Sequence, residues 1–373
     1  MKKSVLFLAT AALFAACARD SVRENIADDQ VEIGFSTYIQ KPVASKADNS
    51  TATALKGLEA YHQNFVVNGF KTVANNNPIQ VFEGQEVTAV LGTDGAATGA
   101  WTYSPVSYWD KSAAHYSFYA AAPQRDDWAF ANNAYSIPNF TAPGTSLALV
   151  TAETPNAAAV FGEEDLMIAT DIDEHKSYTS NAVNFTFNHI LSRLNIAIST
   201  SIADGTVTLT SLTVNGIANK GNFDELAELP TGTTLAGGTT ARWEASGSAT
   251  LTAVKGAEGA DVVVGAAKQF VYQGLVIPQV AGVETINLDG TSEETEPYLK
   301  IQYTITTGGS NTQSYSYFYN LADLFNGDTD ADLSFNEGWQ NNLYITIGAA
   351  AISFDADVYE WATQTSGGSL EVQ

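Results

Sequence analysis

Residues 181–189 read NAVNFTFNH. Val183, Phe185 and Phe187 fall on one side of an extended chain and the polar residues between them on the other. A repeat of two is the pleat of a half-buried β-strand. The same alternation recurs far away. In VEIGFSTYIQ, residues 31–40, Val31, Ile33, Phe35, Thr37 and Ile39 share a face. In GAAAISFDADVYEW, residues 348–361, Ile352, Phe354, Ala356 and Val358 share one against Ser353, Asp355 and Asp357. In TVTLTSLTVNG, residues 206–216, Val207, Leu209 and Ser211 keep one register and Leu212 and Val214 the other. That change of register predicts a β-bulge at Ser211–Leu212.

Between these stretches lie turn-rich clusters: NNNP at residues 75–78, GTDGAATG at 92–99 and TGTTLAGGTT at 231–240. Strands punctuated at short spacing predict an all-β chain of antiparallel sandwiches. Helix is expected only as short pieces, at Tyr319–Phe325 and near Ile190–Leu194.

The chain has 373 residues, 45% of them apolar, which is long for one β domain and ample for two cores. Its 41 acidic against 17 basic side chains give a net charge of −24. Such a surface repels nucleic acid and anionic membranes and favours solubility. Cys17 is the only cysteine, so no intrachain disulfide staples the fold. It follows Lys2, Lys3 and the apolar run SVLFLATAALFAA, which is shorter than the roughly 20 residues needed to span a bilayer and reads as a secretory signal. Ala15 and Ala16 before Cys17 resemble a bacterial lipobox, which makes Cys17 a lipidation site and the first residue of the mature chain. Ordinary signal cleavage near Ala16 leaves a free thiol instead. The expected organisation is a signal peptide at 1–16, a polar tether at 17–30, β-sandwiches at 31–203 and 204–361, and a tail at 362–373. The inner boundary rests on the break in character at SIADG, residues 201–205.

The chemical inventory is thin. His62, His115, His175 and His189 are scattered, and HExxH, GxSxG and a Gly-rich loop between strand and helix are all missing. His189, beside a strongly patterned strand, reads as a satisfied core or turn residue. Asp328, Asp330 and Asp332 begin like an EF-hand loop. Leu333 then stands where the turn needs Gly and Trp339 where the bidentate Glu belongs, so a solvated acidic loop is the reading. No catalytic residue, metal site or cofactor is expected. Trp101, Tyr103, Tyr108, Trp109, Tyr116, Phe118 and Tyr119 crowd one stretch; they read as core filling, with a sugar-stacking platform as the alternative.

Several segments, taken in order, resemble the fimbrillin-like family, the type V pilus subunits of Bacteroidetes-type bacteria. They are the leader with Ile33, Phe35, Ser36 and Tyr38 of the first strand; YWDKSAAHYSFYAAAPQ at 108–124; and DLMIAT at 165–170 with VNFTFNHILSRLNIAI at 183–198. SLTVNGIANKGNFD at 211–224, LVIPQ at 275–279 and GWQNNLYITIGAAAISFDADVYEW at 338–361 complete the set.

The resemblance implies two tandem transthyretin-like β-sandwich domains after a lipoprotein signal peptide, and a structural or adhesive role in a fimbrium. It implies a lipid-anchored precursor at the outer membrane whose first strand is removed by proteolysis. A strand from a neighbouring subunit then fills the opened groove. Val31, Ile33, Phe35 and Ile39 mark the removable strand, and Ile352, Phe354, Ala356 and Val358 the candidate donor. The family's protease is commonly arginine-specific, but Arg19 and Arg23 precede the first strand and only Lys41, Lys46 and Lys56 follow it closely. Either a protease accepting lysine cuts at Lys41 or Lys46, or the subunit stays closed as an anchor or tip. Expected partners are other fimbrial subunits, the outer membrane through lipid, and host or bacterial surface ligands. A surface glycan-binding lipoprotein is the alternative.

Overall fold

The computed structural model describes residues 31–39, 58, 62–74, 77–143, 149–151, 165–172, 182–227, 242–253, 255, 259–281, 297–326, 333–349 and 351–360. Cys17, Lys41, Lys46, the acidic loop Asp328–Asp332 and the tail 362–373 lie outside them.

In chain order the strands are β1 Gly34–Ile39, β2 Asn64–Thr72, β3 Ile79–Leu91, β4 Ala97–Thr102, β5 His115–Ala122, β6 Ala129–Ala131, β7 Ala134–Thr141, β8 Val150–Thr151, β9 Met167–Asp171 and β10 Ala182–His189. They continue with β11 Ser192–Thr200, β12 Thr206–Ile217, β13 Lys220–Asp224, β14 Trp243–Ser246, β15 Ala249–Thr252, β16 Val262–Val264 and β17 Gln269–Val276. The last are β18 Gln279–Ala281, β19 Tyr298–Thr307, β20 Asn311–Asn320, helix α1 Leu321–Asn326, β21 Leu333–Phe335, β22 Trp339–Ile347 and β23 Ile352–Glu360. The chain is all-β, as expected. Of the two helical pieces expected, α1 forms; the other becomes the buried connection Ile190–Leu191 and the start of β11.

A seven-stranded sheet runs β1-β10-β9-β5-β2-β3-β4. It curls around a first core of Ile33, Phe35, Phe65, Phe82, Phe118, Phe185 and Phe187 until its edge strands β1 and β4 approach. At the second core, the sheet β23-β22-β11-β17-β8 faces the sheet β15-β12-β19-β20. Leu194, Ile196, Leu343 and Ile345 from one meet Leu209, Leu212, Leu299 and Ile301 from the other. That is the sandwich solution to burying one face of each sheet. The expected bulge is present: the β12–β19 register shifts between Leu209 and Ser211, so Leu209 and Leu212 both reach the core.

Two ladders depart from the antiparallel expectation. β1 pairs with β10 in parallel, Gly34 opposite Ala182 through Ile39 opposite Phe187, and β11 pairs with β22 in parallel. Alternation looks the same in either direction, so it does not encode this choice. β11 also precedes the expected boundary at 203/204, yet its partners β17 and β22 and its core contacts lie among the C-terminal strands.

A third cluster joins the two regions. The hairpin β6–β7 and the pair β13–β14 form one four-stranded sheet, β14-β13-β7-β6. Trp243 packs there on Phe140 and Phe223 and donates its indole N–H to the Ile190 carbonyl at 2.6 Å. Gly221 makes this closeness possible: a Cβ there would meet the Trp243 ring at 2.9 Å and Ile277 at 3.1 Å.

Candidate functional site

The first strand closes a seam. Ile33, Phe35, Thr37 and Ile39 are all buried, whereas Glu32 and Tyr38 point to solvent. On one side the β1–β10 ladder holds Gly34–Ile39. On the other, ahead of the strand proper, the Trp109 N–H donates to the Val31 carbonyl and the Ile33 N–H donates to the Ser107 carbonyl, each at 2.9 Å. The Phe35 ring sits among Phe65, Phe82, Tyr103 and Phe185 at centroid distances of 5.5–5.9 Å. Burying an Ile or Phe is worth about 1.5–3 kcal/mol each, so hydrophobic contact dominates the strand's attachment and the ladder fixes its register.

Polar groups at the seam are matched to the strand. Thr37 Oγ1 accepts from the Leu58 backbone N–H at 3.2 Å and from the Trp101 indole at 3.1 Å. The Tyr103 hydroxyl donates to the Ile33 carbonyl at 2.7 Å, and burial pushes its pKa up to about 12. Beside the seam, Asp110 takes a hydrogen bond from Lys71 at 2.7 Å and others from Ser112, which hold its carboxyl down at about 2. Tyr116 accepts the Asp110 N–H, which fixes the turn of the YWDKS segment.

Along Val183–Phe187, β10 has its ladder with β1; its pairing with β9 is confined to Asn188 and His189. Among the described residues no other ladder in the sheet runs through β1. Removing β1 therefore bares one edge of β10 and an aromatic trench while leaving β10-β9-β5-β2-β3-β4 connected.

The last strand is an edge too. β23 pairs with β22 over Ile352–Glu360 and, among the described residues, lies outermost in its sheet. Ile352, Phe354 and Ala356 are half-buried against the second core, with Phe354 edge-on to Tyr319 at 4.6 Å. Val358 keeps the alternation of Ile352, Phe354 and Ala356 along β23 but is 41% exposed. Burial and the neighbouring Asp355 raise the Asp357 carboxyl above its usual range.

Of the crowded aromatics, Tyr103, Trp109, Tyr116, Phe118 and Tyr119 are buried, Trp101 packs edge-on against Phe65, and Tyr108 is exposed. They build the core and offer no continuous platform. His189 is a core residue whose Nδ1 lies 3.1 Å from Asp165 Oδ1, both buried. His62 is buried beside them, and burial lowers its pKa. Reading the DLMIAT segment as a motif did not reveal that its aspartate serves the histidine of the next strand. Among the described residues no group of three His, Cys, Asp or Glu is arranged to hold a metal ion.

A family model for fimbrillin-like proteins matches residues 58–361. The chain belongs to the fimbrillin-like family. Solved structures similar to this fimbrillin-like chain include a fimbrial protein from Bacteroides vulgatus, 17% identical, covering 89% of this chain and 100% of that one, TM-score 0.49. A candidate cell adhesion protein from Bacteroides uniformis is 16% identical over 90% of this chain and 99% of its own, TM-score 0.44. The tip fimbrial protein Mfa3 from Porphyromonas gingivalis is 9% identical over 89% and 100%, TM-score 0.39. No curated protein matches. Membership of the family supports a fimbrial subunit at the cell surface that works with other such subunits.

Proposed function

We propose that this fimbrillin-like protein is a fimbrial subunit that polymerises by exchanging β1 for the C-terminal strand of a neighbour, on a two-sandwich plan. The observation that carries this reading is a match between the two strands. Inward positions on β1 and just before it read Ile33, Phe35, Thr37 and Ile39; Ile352, Phe354, Ala356 and Val358 have the same spacing, the same first two residues, and smaller side chains at the last two. A trench shaped to take Ile, Phe, Thr and Ile accepts Ile, Phe, Ala and Val with no larger side chain, at the cost of the Thr37 hydroxyl that the Leu58 N–H and the Trp101 indole use as acceptor. The exchange also moves half-buried side chains to positions that are almost fully buried in β1, which favours the polymer. The incoming backbone then satisfies the bared edge of β10 by strand addition.

Cutting at Lys41 or Lys46, just beyond β1, frees the strand. Cys17 carries the lipid that holds the precursor at the outer membrane. Trypsin treatment of the full chain tests this: loss of residues up to Lys41 or Lys46 with SDS-resistant ladders is the expected result. The second reading, a closed anchor or tip subunit, is favoured by the lack of arginine between β1 and residue 58. Cleavage restricted to Arg19 or Arg23, with monomer remaining, would select it.

A further inference from the structure

A cleft of about 570 Å3 opens between β2, β3 and the β6–β7 hairpin, away from the β1 seam. Its floor is aromatic and fixed in place. Phe130 stacks on Phe70 at 6.2 Å and meets Tyr135 at 4.9 Å. Trp128 lies edge-on to Tyr135 at 5.7 Å and is pinned by its indole N–H on the Pro123 carbonyl at 2.9 Å. Tyr135 is itself held by Asn68 Nδ2 at 2.9 Å. Trp128, Phe130 and Phe70 stay half-buried, so the floor keeps apolar surface open to the cleft.

Neutral amides make up much of the rim. Gln80 and Gln124 line it, and Asn132 and Asn133 form the two-residue turn of the hairpin. Both have positive φ, 53° and 63°, the conformation of a type I′ turn, so the backbone fixes where these amides start. Each amide offers paired donors and an acceptor.

Charge narrows the ligand. Arg125 reaches the cleft already neutralised, with Nε and Nη2 each 2.8 Å from the Asp127 carboxylate. Glu83 adds a negative charge at the rim, and the whole chain carries −24. Anionic ligands are therefore disfavoured. A rigid aromatic floor stacks on the C–H face of a pyranose, rim amides pair with its hydroxyls, and the volume lies within the roughly 300–1,000 Å3 typical of ligand clefts.

We propose that the Trp128 cleft binds a neutral saccharide. Nothing in strand exchange needs this cleft, so uncleaved monomer is the protein to test. The experiment is an array of neutral, sialylated and sulphated oligosaccharides, with host-type and bacterial polysaccharide arms, followed by titration of any ligand found. Neutral saccharides should bind while their sialylated forms do not. Asn133→Gly, which keeps the turn, and Gln124→Ala should each weaken binding about five-fold, the worth of one hydrogen bond. Trp128→Ala should abolish it, with Trp128→Phe retaining part of it if the alanine variant folds poorly. Absence of neutral-saccharide binding, preference for the anionic forms, or unchanged affinity in both Asn133→Gly and Gln124→Ala would overturn the assignment. So would selective binding of lysine-containing peptides, which a cation over Trp128 beside Glu83 would favour.

Discussion

The Tyr103 hydroxyl donates to the Ile33 carbonyl at 2.7 Å across 70 residues of chain. It is a buried side-chain clasp on the segment that leads into β1, and its ring also packs on Phe35. Tyr103→Phe keeps that packing and removes the bond. A buried carbonyl left unpaired costs about 1–3 kcal/mol. We expect faster loss of the first strand after cleavage at Lys41 or Lys46 than in wild type, read by mass spectrometry over time, with little change in the second core.

Phe35 and Phe354 should separate closure from donation. Phe35→Ala opens the aromatic cage of the first core and should destabilise it by about 3–5 kcal/mol in urea unfolding. Phe354→Ala removes a half-buried ring, so the monomer should lose less, while assembly after cleavage should fall sharply if, as proposed, strand exchange places that ring in the Phe35 cage. A Phe354→Ala protein that ladders like wild type would exclude β23 as the donor.

Acid should weaken the first core through His62. Burial lowers its pKa below 6.5; the Asp165 charge and a hydrogen bond to the Asp165 backbone oppose this, and His189 adds to it. The folded state thus holds fewer protons on His62 than the unfolded chain does. The stability from keeping it neutral is present above pH 6.5 and is lost as pH falls through the lowered folded pKa. Urea unfolding below pH 6.5 should show this decline, and His62→Gln should flatten it.

Gly221→Ala places a methyl against the Trp243 ring and near the Glu244 carbonyl. Overpacking of this kind costs about 1–3 kcal/mol. The variant should unfold at lower urea, with the Trp243 region losing amide protection first in hydrogen exchange.

How much of this was legible in the sequence follows from what alternation encodes. It marks which side chains of β1, β10, β12 and β23 turn inward, because those strands bury one face. It is silent on direction, and so the parallel pairings of β1 and β11 did not emerge. The third cluster stayed hidden because β13 has five residues and joins β7 across about 80 residues of chain. A short strand carries too few repeats to announce its partner. Trp128 carries no signal in the sequence because it stands singly, whereas the crowded Trp101–Tyr119 stretch reads as core filling and is mostly buried. Val358 keeps the alternation of β23, and alternation alone does not distinguish its 41% exposure from the half-buried residues before it.

The most direct test of strand exchange is a reversible lock on β1. Tyr38 and Thr186 are paired across the β1–β10 ladder, and Tyr38 is exposed. With Cys17→Ser removing the native thiol, Tyr38→Cys together with Thr186→Cys allows a disulfide between the two strands. After trypsin, SDS-resistant ladders are expected from the reduced protein and monomer alone from the oxidised protein. Ladders of equal extent in both states would contradict the claim that β1 must leave for subunits to join.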